Sequence, residues 1–214
     1  MKKILRTDAI YESSAVSSVV GAIFMLILAV LLAVISFSVV YGNGFSSSLS
    51  KAPMSVIEVK SIEGGVPNKV KFKENYIVLL HKGGESLQVG NTKIIIIGEG
   101  SAYTGVFGSG GTTRFGDIFI SYDDLTTNGK DSPYASRNPN LLDGTWSAGE
   151  ELILNGYDSA VGSTPSSVHV TINCMTNTSD NYGLKDGSIV IVKVYDRKTN
   201  RLIAECEHYV ELAQ

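Results

Sequence analysis

Between Glu12 and Lys51 the chain carries no charged side chain, and the 26 residues of Val16–Tyr41 (VSSVVGAIFMLILAVLLAVISFSVVY) are almost wholly apolar. As a helix this run spans roughly 39 Å at about 1.5 Å per residue, and it exceeds the ~20 residues that a bilayer's hydrocarbon core requires. Apolar side chains fall on every side of that helix, so it has no polar face to turn to water. The segment therefore reads as membrane-inserting.

Three arrangements of this N-terminus compete. A cleaved secretory signal would use Lys2, Lys3 and Arg6 as its positive region, but such signals carry an apolar stretch of only ~7–15 residues. Here the run is far longer, and Val40-Tyr41-Gly42 makes a poor cleavage site. A plain signal anchor would hold the basic residues in the cytoplasm and the rest of the chain outside. In the third arrangement a leader is cut before the apolar run and the helix survives in the mature chain.

Residues Ala15–Ala33 (AVSSVVGAIFMLILAVLLA) resemble the N-terminal segment of archaeal type IV pilins, in which a small residue precedes the cut and V-S-x-V-[IV]-G opens an apolar helix. The resemblance implies a leader over 1–15, with Ala15 its last residue and Val16 the mature N-terminus. It implies a filament-core helix over 16–42, with Val16, Val19, Gly21, Phe24, Leu28 and Leu32 along it, a hinge over 43–53 and an extracellular domain over 54–214. Gly21 falls where the family has its glycine. Ser18 stands where members commonly have Pro, and Ser14 where a charge often precedes the small residue. Position 20 is Val20, without the carboxylate of bacterial type IV pilins, so the archaeal branch is the better match. His81-Lys82-Gly83-Gly84-Glu85-Ser86-Leu87 and Asp143–Glu150 (DGTWSAGE) also resemble turn segments of such pilins. The partners implied are further copies of the chain in a homopolymeric filament, a prepilin peptidase, an assembly ATPase and a membrane platform protein. Adhesion is the expected use. The alternative is a signal-anchored surface β-sandwich that binds a ligand and never polymerises, and a surface hydrolase on the same anchor is a third.

Beyond the anchor, 22 Gly, few Pro and many Ser, Thr, Tyr, Val and Ile favour strands joined by tight turns. Met54–Ile62 and Lys69–Leu80 alternate, and Ile94-Ile95-Ile96-Ile97 reads as a strand buried on both faces. Asp117–Tyr122 and Glu151–Leu154 are shorter candidates. Val168, Val170, Ile172 and Cys174 share one face of a strand. Ser188–Tyr195, a hairpin loop over Asp196–Asn200 and a final strand follow, with Leu202, Ala204, Cys206, His208, Val210 and Leu212 on one face. The expected fold is mainly β: one hydrophobic N-terminal α-helix, then an antiparallel β-sandwich, Ig-like or a small barrel. The Gly-, Ser- and Asn-rich stretch 98–140 reads as a long exposed loop.

A net charge of −3 with no Lys/Arg-rich run gives no basis for nucleic-acid binding. Cys174 and Cys206 sit at expected inward positions of two strands, either as a disulfide, which an exported domain allows, or as two buried thiols. His81, His169 and His208 have no zinc-ligand spacing. Asp117, Asp123, Asp124, Asp131 and Asp143 follow no calcium-loop pattern and read as turn residues. Asn177-Thr178-Ser179 is a glycosylation sequon in a polar stretch. No cofactor and no catalytic constellation is expected.

Overall fold

The computed structural model describes residues 8–41, 51–105 and 110–214, with side chains of the N-terminal helix described for 19–38. The first seven residues of the expected leader and most of the 43–53 hinge lie outside the described residues. The chain divides after Lys51 into two compact units. The first contains α1, Asp8–Tyr41, which starts inside the expected leader and runs through the Ala15–Val16 bond.

The second unit is built from strands: β1 (Ser55–Gly64), β2 (Tyr76–Gly84), β3 (Leu87–Gln88), β4 (Thr92–Thr104) and β5 (Thr112–Tyr122), then, after the short helix α2 (Ser132–Arg137), β6 (Thr145–Trp146), β7 (Glu151–Asn155), β8 (Val168–Ile172), β9 (Thr178–Leu184), β10 (Ile189–Asp196), β11 (Arg201–Tyr209) and β12 (Glu211–Leu212). One sheet has the order β12-β1-β2-β7 and a larger one β11-β10-β4-β5-β8, with β9 also on β4. The chain is thus mainly β, an apolar helix followed by two packed, essentially antiparallel sheets and a two-stranded β3–β6 ribbon; the β1–β12 pairing is parallel. Inward side chains of β1, β2 and β7 (Ile57, Val59, Ile62, Ile77, Leu79, Leu152, Leu154) meet those of the larger sheet (Ile94, Ile96, Ile118, Ile120, Val170, Val192) in one core. This is the packing that period-2 alternation demands of a sandwich.

Four expectations are corrected. Residues 69–75 are not strand: the chain turns at Val66–Val70 and forms a 3-10 turn at Phe72–Glu74, where Glu74 Oε2 accepts from Lys71 N at 3.0 Å. The Ile94–Ile97 run is buried on one face only, since Ile97 is 36% exposed and Ile95 half-buried. An antiparallel sheet of this kind leaves its outer face to solvent. The 98–140 stretch is not one exposed loop, because β4 continues through Gly98-Glu99-Gly100 to Thr104, β5 returns from Thr112, and Lys130, Asp131 and Tyr134 are buried. The fourth is Cys174, outside β8 and solvent-exposed.

β4 is shared along one edge by two strands: β10 pairs Thr92–Ile97 and β9 pairs Gly100–Thr104. β9 also reaches β8, as Asp180 Oδ1 accepts from Val170 N at 3.0 Å and Thr178 Oγ1 donates to Val170 O at 2.8 Å. The larger sheet therefore curls part of the way toward a barrel. The outer edge of β7 is closed by side chains instead of a strand. Asn138 accepts from Ile153 N at 2.7 Å and donates to Ile153 O at 2.9 Å, while Asn140 donates to Glu151 O at 3.0 Å. Capping of this kind removes the open ladder that invites strand addition.

Candidate functional site

All the residues Val19–Ser38 are exposed and uncharged, a 20-residue span long and apolar enough to cross a membrane. Val19 is 58% exposed, Phe24 67%, Leu28 52% and Leu32 56%, so no one side of the helix is covered by its own unit. A Cβ placed on Gly21 would meet nothing within 4 Å. Such a surface is stable only against lipid or other apolar helices. Ala15 and Val16 lie on the helical backbone, and their side chains fall outside the described ones.

The two turn segments singled out in the sequence come together where the chain enters the sandwich. Gly84 has φ +97, and a Cβ there would lie 2.3 Å from Met54 O, so only glycine lets β2 pass this close. The next residue clamps the chain: Glu85 N donates to Met54 O at 2.8 Å, and Glu85 Oε2 accepts from Met54 N at 2.9 Å. From the second segment, Glu150 O accepts from His81 N and from Trp146 Nε1, each at 3.0 Å, and Glu150 Oε2 accepts from Ser147 N at 2.6 Å. The His81 and Trp146 rings meet edge-to-face at 5.7 Å. His81 Nε2 lies 3.1 Å from Glu85 O, which can only accept, so Nε2 carries the proton. Its Nδ1 is buried with no hydrogen-bond partner among the described residues. The arrangement fixes the start of β1, with the Ser86 and Ser147 hydroxyls paired at 3.0 Å on its exposed side.

A second cluster was not anticipated. Asp158 is fully buried, accepting from Tyr122 Oη at 2.8 Å and Asn155 N at 2.7 Å and pairing with Arg137, which also contacts Asp131 at 3.2 Å. Tyr122 Oη lies 2.9 Å from Tyr182 Oη. Burial pushes the Asp158 carboxyl up to about 6 despite the guanidinium beside it, and the same burial raises the Tyr122 hydroxyl. Nearby, Lys130 Nζ is enclosed by Thr126 O at 2.9 Å, Ser167 Oγ at 2.8 Å and Asp124 at 3.4 Å, and burial lowers its pKa. These groups tie the irregular stretches on either side of β7, around 123–138 and 156–167, to the sheets. With Asp158, Tyr122 and Tyr182 sealed from solvent, no substrate can reach them. The available signal was Asp131-Ser132-Pro133, a helix cap followed by a first-turn proline.

The other expected residues are scattered. Cys174 lies in the β8–β9 turn with φ +66, exposed, and Cys206 is half-buried; both are free thiols. Cys206 Sγ donates to Ile57 O at 3.1 Å, which bridges β11 to β1 where the two sheets part, and burial raises its pKa. Asn177 is exposed, its carbonyl accepting from Gly105 N at 2.8 Å, whereas Ser179 Oγ of the same sequon is buried with no partner among the described residues. His169 pairs with Asp123 at 3.1 Å, and His208 Nδ1 lies 2.7 Å from Tyr209 O. Asp124 and Asp143 cap their own turns at Thr126 and Thr145. Among the described residues no three potential ligands gather to hold a metal ion. Neither protein-family models nor curated protein sequences give a match to this chain.

Proposed function

We propose that the chain is a structural subunit of an archaeal type IV pilus-like surface filament, held in the membrane by its apolar helix before assembly. One observation carries this reading: the Ala15–Ala33 segment with its V-S-x-V-V-G opening leads into a helix whose described side chains are uncharged and exposed on every side. A prepilin peptidase cuts between Ala15 and Val16 and removes Lys2, Lys3 and Arg6, charges that would be costly in a helical filament core. The helices of many copies then exchange lipid contacts for contacts with one another, with Gly21, Ala22, Ala29 and Ala33 permitting close approach. An assembly ATPase and a membrane platform protein drive the transfer. The 54–214 domain lies on the outside and serves adhesion.

The test is N-terminal sequencing and intact mass of the chain from its native cell surface, with electron microscopy of the same material. A start at Val16 together with filaments is the expected result. A start at Met1 refutes the reading in favour of a plain anchored module, a start near Asn43 makes the helix a secretory signal, and a start at Val16 without filaments refutes polymerisation.

A further inference from the structure

The geometry points to a binding site for a neutral saccharide chain on the outer face of the larger sheet. Where β9 and β10 part along β4, the Lys185–Ser188 turn forms a wall, and two adjoining hollows of about 600 and 580 Å³ open beside it, sharing Glu99, Lys185 and Asp186. Phe115, 50% exposed, borders one hollow, and Tyr209, 64% exposed, borders the other. Phe119, 41% exposed, stands on the same face, opposite Ile97 in the β4–β5 register.

The polar groups of the groove are set before any ligand arrives. Lys69 Nζ holds Asp186 at 2.9 Å, Lys185 Nζ holds the Glu99 carboxylate, and Lys185 N donates to Glu99 O at 3.0 Å. Asp117, paired with Glu99 in the register, has no hydrogen bond or ion pair to its carboxylate among the described residues. Three carboxylates against two ammoniums leave the groove with one negative charge, too little to select a polyanion or a strongly basic partner.

Exposed aromatic rings on strands bury well against a ligand with a flat apolar face, and the unpaired Asp117 carboxylate beside the Glu99–Lys185 pair suits a ligand rich in hydroxyls. A pyranose offers both, its C–H face for the rings and its hydroxyl rim for Asp117, Glu99 and Lys185. Both hollows are open to solvent, which suits a chain lying along the groove better than a small molecule that must be enclosed. The site is independent of filament assembly and gives the domain something to hold whether or not the chain polymerises.

The experiment uses the full chain in phosphatidylcholine nanodiscs, free of sugar-based detergent. Saturation-transfer NMR and calorimetry are run with hexamers of β-1,4-glucose, β-1,4-N-acetylglucosamine and α-mannose. Binding of at least one is expected, with transfer strongest to ring C–H protons. Phe115→Ala, Tyr209→Ala and Asp117→Asn should each weaken it by roughly tenfold while leaving the melting temperature unchanged, since all three side chains are exposed. The assignment is overturned if none of the hexamers binds, or if binding is the same in the variants. It is equally overturned if sedimentation shows self-association that Phe115→Ala abolishes, which would make this face a contact between copies.

Discussion

Asp158 makes the stability of the domain depend on pH in an unusual direction. Its carboxyl is pushed from 3.8 up to about 6 by burial, which outweighs the Arg137 guanidinium. The folded state therefore binds the proton more tightly than the unfolded state. This contribution to stability is complete below pH 3.8 and is lost as pH rises through about 6. At 1.36 kcal/mol per tenfold in proton affinity, the loss is about 3 kcal/mol by pH 7. In Asp158→Asn no proton titrates at this position, while the other groups titrate in both proteins and cancel in the difference. Urea unfolding of wild type and variant at pH 4, 5, 6 and 7, followed by the fluorescence of the sole tryptophan, buried Trp146, measures that difference. Wild type is expected to lose ground to the variant by about 2 kcal/mol across the range, most of it between pH 4 and 6. A flat difference, or wild type gaining as pH rises, would show that Arg137 outweighs burial and would refute the reasoning.

Other outcomes follow from the same contacts. Leu28→Arg with Leu32→Arg adds two charges near the middle of the apolar span at about 3 kcal/mol each, so the fraction released by alkaline carbonate extraction of membranes should rise sharply. Gly84→Ala forces a Cβ to 2.3 Å from Met54 O at φ +97 and should lower stability by about 2 kcal/mol or more, read as a lower urea midpoint at unchanged slope. Asn138→Ala leaves Ile153 N and O uncapped at the β7 edge and should remove about 2–3 kcal/mol, with light scattering reporting any strand-edge association. In the native chain Ellman's reagent should titrate exposed Cys174 quickly and half-buried Cys206 slowly, and two thiols in urea; a chain without titratable thiol would contradict the structure.

The sequence showed where burial is continuous or strictly alternating and concealed where it is achieved by polar pairing. α1 was legible because no charge interrupts it after Glu12, β1, β8 and most of β11 because their apolar residues alternate, and β7 and β10 as short apolar runs. β9, with the sequence Thr178–Leu184 (TSDNYGL), was invisible: it is held by Asp180 and Thr178 side chains and by Tyr182 reaching into the core, not by an alternating face. The extension of β4 through Gly98-Glu99-Gly100 looked like a turn, yet at Gly100 a Cβ would lie 2.2 Å from Gly183 O, so the glycine marks close strand packing. Cys174 misled because alternation was carried two residues beyond Ile172, past Asn173 at φ +48. The Asp158 cluster draws on residues far apart in the chain, among Gly and Asn that read as solvated loop, and only the fold unites them. At the entry the two turn segments were recognised separately, whereas their contact through His81, Trp146 and Glu150 was not.

The position of β1 has a mechanical meaning. β1 opens the sandwich just after Met54 and is flanked by β2 over most of its length and by β12 at its far end. A strand paired along its whole length loses its ladder first at an end, where the rungs can open one by one. The Glu85 clamp, bonded to both Met54 N and Met54 O, sits at the first rung and resists peeling where it would begin. Fraying of β1 from its first residues is therefore opposed at the point where it would start.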